Sequence, residues 1–182
     1  ERDEENASYL ASLAREEVVK IYGNGVFPRG LVEFTNYCKN NCYYCGIQGS
    51  NQHANRYRLS KDEILSACEN GYQLGYRSFV LQGGEDPHYS DDVMVPIVSE
   101  IRKRYQDCAI TLSLGERSKE SYQKLYDAGA DRYLLRHEAA TPELYQKLHP
   151  ESLSLENRIQ CLWNLKEIGY AVGTGFMVGA PY

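Results

Sequence analysis

The sequence predicts an α/β protein whose architecture is an incomplete (β/α) barrel of the TIM type. Short apolar runs with strand character alternate with longer segments of helical period along the 182-residue chain. About five strands can be counted, whereas a complete eight-stranded barrel usually takes ~250 residues. We therefore expect about five βα units in a chain that is cut after the fifth strand. An open, doubly wound sheet is the structural alternative, because periodicity alone does not exclude it.

The first 30 residues are predicted to lead into the barrel rather than to form part of it. A Gly-Asn-Gly run at residues 23–25 ends a predicted helix, and Pro-Arg-Gly at 28–30 turns the chain. We expect an N-terminal helix with its lead-in at 1–30 and the barrel core at 31–182, incomplete at its C-terminus. One face of the leading helix carries four apolar residues, Leu10, Ala14, Val18 and Ile21.

The core then alternates strands and helices in a regular order. A Ser-Lys-Asp-Glu capping box at residues 60–63 begins the first core helix, after a long polar loop. Ser118, Thr141 followed by Pro142, and Ser154 have the residue types that begin later helices. The predicted strands are residues 31–35, 78–82, 109–114, 132–136 and 172–178.

Composition and charge argue against several classes of protein. The net charge is −5 and no basic run exceeds three residues, so a nucleic-acid-binding surface is not expected. No stretch approaches the roughly 18 apolar residues that a membrane span requires, and the charged N-terminus lacks the apolar core of a secretion signal. Three of the six cysteines crowd into eight residues, which is typical of metal binding in a cytoplasmic protein. We expect a cytoplasmic location and no membrane partner.

The cysteine-rich loop after the first strand carries the clearest chemical signal. Cys38, Cys42 and Cys45 form a C-x3-C-x2-C spacing that can ligate one compact inorganic centre. In a [4Fe–4S] cluster, three cysteine ligands leave one iron open, which a small molecule needs in order to bind the cluster directly. Tyr44 stands just before the third cysteine and would form an aromatic wall beside the cluster or a cofactor. Zinc held by the same cysteines and His53 is the rival interpretation.

This loop resembles the signature of the radical S-adenosylmethionine (SAM) superfamily, in which Cys-x3-Cys-x-aromatic-Cys follows the first strand of a βα array. The Gly-Gly-Glu run at residues 83–85 is similar to the element that holds the SAM amino group in that family. Physically, glycine permits close backbone approach, and Glu85 complements an ammonium group. The resemblance implies a [4Fe–4S] cluster, SAM bound to its open iron, and reductive cleavage of SAM to methionine and a 5′-deoxyadenosyl radical.

Within that superfamily, several segments resemble the HydE maturases of [FeFe]-hydrogenases. The matching segments are residues 34–47, 81–87, 132–138 and 176–179. Biotin synthase and 3-methylornithine synthase are near relatives, but Gln82 and the Arg-His-Glu triplet at 136–138 favour the HydE type. The resemblance implies a role in assembling the diiron part of the hydrogenase H-cluster, with the radical acting on a small iron–cysteine species.

The resemblance also implies roles for individual residues, with the three loop cysteines as cluster ligands. Arg158 would pair with the SAM carboxylate, and Arg136 would face a carboxylate of the substrate. The alternatives are a solvated Arg158 beside Glu156, and a structural ion pair of Arg136 with Asp131 or Glu138. The residues implied to contact SAM are Tyr44, Gln82, Gly83, Gly84, Glu85, Ser113, Glu138, Arg158 and Met177.

Most of these candidates stand at the C-terminal ends of predicted strands, the edge at which active sites lie in βα barrels. Glu138, after the fourth strand, would accept hydrogen bonds from the SAM ribose hydroxyls. Radical formation requires no general acid or base, so no such residue is expected. The implied partners are an electron donor, such as a ferredoxin or flavodoxin, and other hydrogenase maturases. The alternative functions are a radical SAM activity of 3-methylornithine synthase or biotin synthase type, and a zinc-binding module without catalysis.

Overall fold

Helices and strands alternate in the order that the sequence predicts. A computed structural model describes residues 3–180, and Glu1, Arg2, Pro181 and Tyr182 lie outside the described residues. The strands are β1 Gly30–Thr35, β2 Ser78–Gly83, β3 Ala109–Ser113, β4 Arg132–Leu134 and β5 Ala171–Gly173. The helices are α1 Glu4–Tyr22, α2 Lys61–Gln73, α3 Asp91–Arg104, α4 Lys119–Asp127, α5 Pro142–Leu148 and α6 Leu155–Ile168.

The five strands form one parallel sheet in the order β1-β2-β3-β4-β5. Helices α2, α3, α4 and α6 pack against one another in sequence along one face of that sheet. A doubly wound sheet instead reverses its strand order at a switch point, so that alternative is wrong. Sequential parallel strands with helices outside are the arrangement of a (β/α) barrel, of whose eight strands the described residues contain five.

Side chains alternate between the two faces of the sheet, and only one face forms the apolar core. The alternate positions face the inside of the barrel, where the register partners Gln82 and Ser113 border a cavity. Cys68, Cys108 and Cys161 are buried in this apolar core. The strand residues buried against the helices are Val32, Phe34, Phe79, Leu81, Ile110, Leu112 and Tyr133.

The predicted starts of four helices are confirmed by their caps. The Ser60 side chain accepts a hydrogen bond from the Glu63 N–H while the Glu63 carboxylate accepts one from the Ser60 N–H, which is a capping box. Ser118, Thr141 and Ser154 cap α4, α5 and α6 with their side-chain oxygens. These caps fix where each helix begins on the outside of the sheet.

The last two strands are shorter than predicted, whereas β1, β2 and β3 agree within one residue at each end. β4 ends at residue 134 rather than 136, and β5 at 173 rather than 178. Beyond these ends, the Leu135 N–H donates to the Gly173 carbonyl (2.9 Å) and the Glu138 N–H donates to the Gly175 carbonyl (3.0 Å). Three residues on one side thus oppose two on the other, so the extra residue forms a bulge that interrupts the ladder.

Helix α1 forms where the sequence predicts it, but no described residue covers its apolar face. It begins after the Asp3 cap and ends at Gly23, whose φ is 63°. Leu10 and Ile21 are 67% and 70% exposed. The division of the chain into a lead-in at 1–30 and a core therefore stays a prediction. Neither α1 nor another helix within residues 3–180 combines the length and apolar character that crossing a membrane requires.

Candidate functional site

The C-terminal ends of the strands surround an open cavity of about 440 Å³. The loop after β1 contributes the cysteines, β2 its Gly-Gly-Glu end, β3 its last residue, and α6 one arginine. The structure therefore brings almost all the candidates together at one edge of the barrel. The candidates that line the cavity are Cys38, Cys42, Tyr44, Cys45, Gln82, Gly83, Gly84, Glu85, Ser113, Arg136, Glu138 and Arg158.

Met177 does not line this cavity, which corrects the expectation that it stands at the C-terminal end of the fifth strand. β5 ends at Gly173, and Met177 lies on the irregular segment beyond it. The Met177 N–H donates to the Glu138 carbonyl oxygen at 2.9 Å. Met177 therefore supports the backbone of Glu138, and it lies beyond the strand end because β5 is shorter than the sequence predicts.

Arg56 holds the cysteine loop closed from outside the cysteine motif. Arginine presents five N–H donors in a planar fork, so one side chain can join both ends of the loop. Sequence reasoning missed this residue, since a single arginine in a polar loop forms no pattern. Its guanidinium donates to the backbone carbonyls of Asn36, before the first cysteine, and of Ile47 (2.9 Å), Gln48 (2.7 Å) and Asn51 (3.2 Å), after the last.

The three loop cysteines are unpaired and partly buried at the cavity wall. Burial is the main reason why the pKa of Cys42 is raised to about 11, with Cys38 and Cys45 adding to the increase and Arg158 opposing it. Because the raised pKa keeps Cys42 protonated near neutral pH, binding of a metal centre would displace its proton.

This set of ligands fits an iron–sulfur cluster better than a single zinc ion. Among residues 3–180, no three Cys, His, Asp or Glu side chains converge where one ion could bind. His53, the fourth ligand in the zinc interpretation, is exposed and does not line the cavity. In a [4Fe–4S] cluster each cysteine binds a different iron, so the three cysteines need to line one cavity but not to converge on one ion.

A close approach of β2 to the cysteine loop forms one wall of the cavity. At Gly84 a Cβ atom would overlap the Tyr37 carbonyl oxygen and press against the Cβ of Cys38. The Lys39 N–H donates to the Glu85 carbonyl oxygen at 2.9 Å. Because only glycine permits so close an approach, Gly84 positions the backbone of the first cysteine.

Glu85, Glu116 and Arg158 form a buried charged network beside the loop. Arg158 Nε lies 2.7 Å from Glu116 Oε1, and Arg158 Nη2 lies 3.9 Å from Glu85 Oε1. The Glu116 N–H donates to Glu85 Oε1 at 3.1 Å, and Lys39 Nζ lies 3.4 Å from Glu85 Oε2. Arg158 is only 8% exposed, so the alternative of a solvated Arg158 beside Glu156 is wrong.

Glu116 belongs to this network but does not line the cavity. Its carboxylate pairs with Arg158 and its N–H donates to Glu85, so it holds both candidate side chains in place. Glu116 was missed from the sequence, although it follows β3 much as Glu85 follows β2.

Glu138 has a strained backbone within the cavity wall. Its φ is 60°, which makes it the one non-glycine residue with positive φ among residues 3–180. It is 6% exposed, and its Oε1 lies 3.2 Å from Arg136 Nε. Asp131, the other partner considered for Arg136, instead pairs with Arg102. Strained residues of this kind cluster at functional sites, so Glu138 carries an independent structural sign of function.

Comparison with known proteins agrees with this geometry. The family model described as "Radical SAM superfamily" matches residues 32–182. The chain belongs to the radical SAM superfamily. This radical SAM chain is 49% identical over 172 residues to the "[FeFe] hydrogenase maturase subunit HydE" of Thermotoga maritima, and the match covers 94% of the chain and 49% of that protein.

Solved structures show the same radical SAM architecture. The crystal structure of methylornithine synthase (PylB) has a TM-score of 0.89 and 30% identity, covering 98% of this chain and 53% of that one. HydG, described as a maturase of the [FeFe]-hydrogenase, has a TM-score of 0.84 and 26% identity, covering 98% and 41%. The radical SAM chain thus spans about half the length of these proteins. Membership of this superfamily favours an iron–sulfur cluster over zinc at the three cysteines.

Proposed function

We propose that this radical SAM chain provides the cluster- and SAM-binding part of a HydE-like maturase of [FeFe]-hydrogenase. The observation that carries the proposal is that the three loop cysteines meet Glu85 and Arg158 around one cavity. The HydE type is supported by 49% identity to the Thermotoga maritima protein over 94% of the chain.

In the proposed site, Cys38, Cys42 and Cys45 hold a [4Fe–4S] cluster with one iron open to SAM. The bound cluster supplies the electron for reductive cleavage of SAM to methionine and a 5′-deoxyadenosyl radical. Glu85 accepts hydrogen bonds from the SAM amino group, and Arg158 pairs with its carboxylate. The burial of both side chains supports these roles, because water competes less for a partly enclosed ion pair.

The rest of the cavity lining orients the nucleoside. Glu138 accepts hydrogen bonds from the ribose hydroxyls, in keeping with its buried carboxylate. Gln82 and Ser113 pair in register at the ends of neighbouring strands, so they can contact the same ligand. Tyr44 forms an aromatic wall, and Gly83 with Gly84 lets the backbone approach the methionine end.

The substrate and partners are proposed from the HydE resemblance. Arg136, whose side chain is 63% exposed at the cavity wall, suits the carboxylate of a small iron–cysteine species. A ferredoxin or flavodoxin would supply electrons, and other hydrogenase maturases would deliver or receive the iron species. We also propose a cytoplasmic location, supported by six cysteines that are all free.

A second candidate is a radical SAM activity of the 3-methylornithine synthase type. The observation in its favour is the TM-score of 0.89 to methylornithine synthase. The two candidates share the cluster and SAM, so they differ only in the substrate. The test uses a full-length protein that contains this chain. It asks whether that protein restores active [FeFe]-hydrogenase in a maturation system that lacks HydE. Formation of 3-methylornithine without restored hydrogenase would favour the second candidate.

The Cys42→Ala variant tests the cluster assignment. After anaerobic incubation with iron and sulfide, we expect the wild-type chain to bind about four iron atoms and to absorb broadly near 400 nm, as thiolate-ligated iron–sulfur does. Cys42→Ala removes one of three ligands and should lose both signals. Cys161→Ala, which alters a buried cysteine distant from the loop in sequence, is the matched control and should load normally. A colourless wild-type protein with stoichiometric zinc would contradict the proposal, as would a fully loaded Cys42→Ala variant.

A further inference from the structure

Glu116, in the turn between β3 and α4, contacts both side chains that the proposed site assigns to the amino-acid part of SAM. Its carboxylate oxygen Oε1 lies 2.7 Å from Arg158 Nε. Its backbone N–H donates to Glu85 Oε1 at 3.1 Å. Glu85 and Arg158 line the cavity, whereas Glu116 does not. Glu116 therefore holds both side chains from outside the cavity.

The Glu116 carboxylate is itself fixed by helix α6. Its second oxygen, Oε2, accepts a hydrogen bond from Asn157 Nδ2 at 2.5 Å. Asn157 lies in the first turn of α6, where its N–H donates to the capping hydroxyl of Ser154 at 3.1 Å. Because α6 carries both Asn157 and Arg158, Glu116 joins the end of β3 to the start of α6.

Two carboxylates compete for the Arg158 guanidinium. Arg158 lies 2.7 Å from Glu116 but 3.9 Å from Glu85, so its closer partner is Glu116. The side chains of Glu85, Glu116 and Arg158 are only 11%, 13% and 10% exposed, so their charges attract more strongly than they would at the surface. If Glu116 lost its charge, the carboxylate left for Arg158 in this network would be that of Glu85.

A direct pair between Glu85 and Arg158 would occupy the two groups that the amino-acid part of SAM requires. An ammonium group needs a free carboxylate, and a carboxylate needs free N–H groups on the guanidinium. Glu116 takes Arg158 on its Nε side, which leaves the N–H groups of both Nη atoms for a ligand. The Glu116 N–H is one donor to the Glu85 carboxylate, which can accept several. Contact with Glu116 thus leaves both groups able to bind a ligand.

We propose that Glu116 is a positioning residue that keeps Arg158 and Glu85 apart, so that one binds the carboxylate and the other the amino group of SAM. The inference rests on the proposed function, and it adds a residue that determines how the site recognises the amino-acid part of SAM. Glu116 acts through the charge that holds Arg158 and not through a contact with SAM. Loss of that charge lets Arg158 move to Glu85 and weakens SAM binding.

The test is a calorimetric titration of the 182-residue chain, loaded with iron and sulfide, with SAM and with methylthioadenosine, which has the same nucleoside but no amino or carboxylate group. Glu116→Gln keeps the size of the side chain but removes its charge. It should weaken SAM about tenfold, the size of one charge-assisted hydrogen bond, and methylthioadenosine by less than about twofold. Glu156→Gln, at an exposed glutamate of α6, is the matched control and should change neither. In a Glu85→Gln background, Glu116→Gln should weaken SAM by less than about threefold, because Arg158 then has no carboxylate to move to.

A double-mutant cycle on the metal-free chain tests the separation of the two groups without cluster or SAM. The coupling between Glu85 and Arg158 is obtained from the unfolding equilibrium constants of Glu85→Gln, Arg158→Met and the double variant in urea. It should rise about fivefold in a Glu116→Gln background, because the two side chains then pair directly. The same cycle in the Glu156→Gln background should give the wild-type coupling.

Four results would overturn the inference: unchanged SAM affinity in Glu116→Gln, equal weakening of SAM and methylthioadenosine, an undiminished effect in the Glu85→Gln background, or a coupling that does not rise. If Glu116→Gln does not fold, Asn157→Ala replaces it, because it removes the hydrogen bond that anchors Glu116. Asn157→Ala should weaken SAM about threefold and leave methylthioadenosine unchanged. Failure of the wild type to load iron would contradict the proposed function, while the metal-free coupling would still decide the role of Glu116.

Discussion

At the scale of single residues, Glu138 combines an unfavourable backbone conformation with a buried carboxylate. A left-handed conformation at a residue with a Cβ costs about 1 kcal/mol. The backbone of Glu138 is held there by hydrogen bonds to Gly175 and from Met177. Since the same residue lines the cavity, this backbone conformation sets the direction of its side chain at the cavity wall.

Two substitutions of Glu138 should separate the effect of its backbone on stability from the effect of its carboxylate on SAM binding. Glu138→Gly and Glu138→Ala both remove the carboxylate, but only glycine relieves the positive φ of 60°. We expect Glu138→Gly to be more stable than Glu138→Ala by about 1 kcal/mol in the free energy of unfolding, while both bind SAM more weakly than wild type. Urea denaturation and SAM titration measure the two effects. Equal stability of the two variants would show that Glu138 is not strained in solution.

A second prediction concerns Gly115, which leaves room for the side chain of Glu85. Its φ is 75°, and a Cβ there would overlap the Glu85 side chain. Gly115→Ala should therefore displace the Glu85 carboxylate, so that SAM binds about tenfold more weakly, the loss of roughly one charge-assisted hydrogen bond, while the cluster still loads. Gly75→Ala is the matched control, because Gly75 has a φ of 92° but no atom within 4 Å of an added Cβ. SAM affinity that falls equally in both variants would refute the steric explanation.

Residues that belong to a local pattern could be predicted from the sequence, and residues that act through the fold could not. The three cysteines and the Gly-Gly-Glu run are close in sequence, so their spacing alone revealed them. Arg56 donates to backbone carbonyls of the cysteine loop, and the ring of His149 contacts the Tyr44 hydroxyl. Only the fold brings these two residues near the loop. Glu116 lies between these cases, since its place after β3 was a signal that sequence reasoning did not use.

At the scale of elements, an ion pair between the buried carboxylate of Asp86 and the partly exposed Arg58 joins the ends of β1 and β2 to the polar loop. Asp86, after β2, accepts two hydrogen bonds from the Arg58 guanidinium (2.7 and 2.9 Å) and one from the Thr35 hydroxyl (2.9 Å). Thr35 ends β1 and forms an isolated bridge with Arg58. These contacts fix the base from which the cysteine loop departs.

Asp86→Asn should destabilise the protein by about 2–3 kcal/mol, less than for a wholly buried pair because Arg58 is partly exposed. Burial raises the pKa of Asp86, but hydrogen bonds from Arg58, His88 and Thr35 outweigh it, so the pKa is lowered overall. A carboxyl group with a lowered folded pKa stabilises the protein above its unfolded pKa, about 4, and that stability is lost as the pH falls through the folded pKa.

Urea denaturation at pH 7 and at lower pH values measures this effect. The difference in unfolding free energy between wild type and Asp86→Asn should shrink as the solution becomes more acidic than pH ~4. Asp107→Asn is the control, since Asp107 pairs with Arg77 at the surface, where both side chains are about half exposed. It should change stability by less than about 1 kcal/mol. A pH-independent difference for Asp86→Asn would contradict the ion-pair explanation.

The starts and ends of helices and strands could be predicted from the sequence where residues close in the chain determine them. Ser60, Ser118, Thr141 and Ser154 cap their helices with bonds to residues three positions away, so the signal lies within one turn. The ends of β4 and β5 instead depend on a bulge between two strands distant in sequence. No single run of residues contains that information, which is why both strands were predicted too long.

At the scale of the whole molecule, the strand order was the property that the sequence left open. Alternating strands and helices are shared by barrels and doubly wound sheets, so periodicity cannot separate them. The apolar strand residues Phe34, Leu81 and Leu112 all pack into one helix-covered core. The polar positions between them, such as Gln82 and Ser113, face the inner side and border the cavity. The sequential strand order, which no single segment encodes, is what distinguishes the barrel.

The sheet ends at β1 on one side and β5 on the other, and within residues 3–180 each pairs with one neighbour only. Unpaired edge strands promote association through their free N–H and C=O groups. We expect the 182-residue chain to self-associate as its concentration rises, as measured by light scattering coupled to gel filtration. Leu31→Lys, at a 55% exposed position of β1, should reduce association, whereas Leu74→Lys, 76% exposed at the end of α2, should not. A monomer at all concentrations that unfolds cooperatively would contradict this expectation, because it would show that the edges are protected in another way.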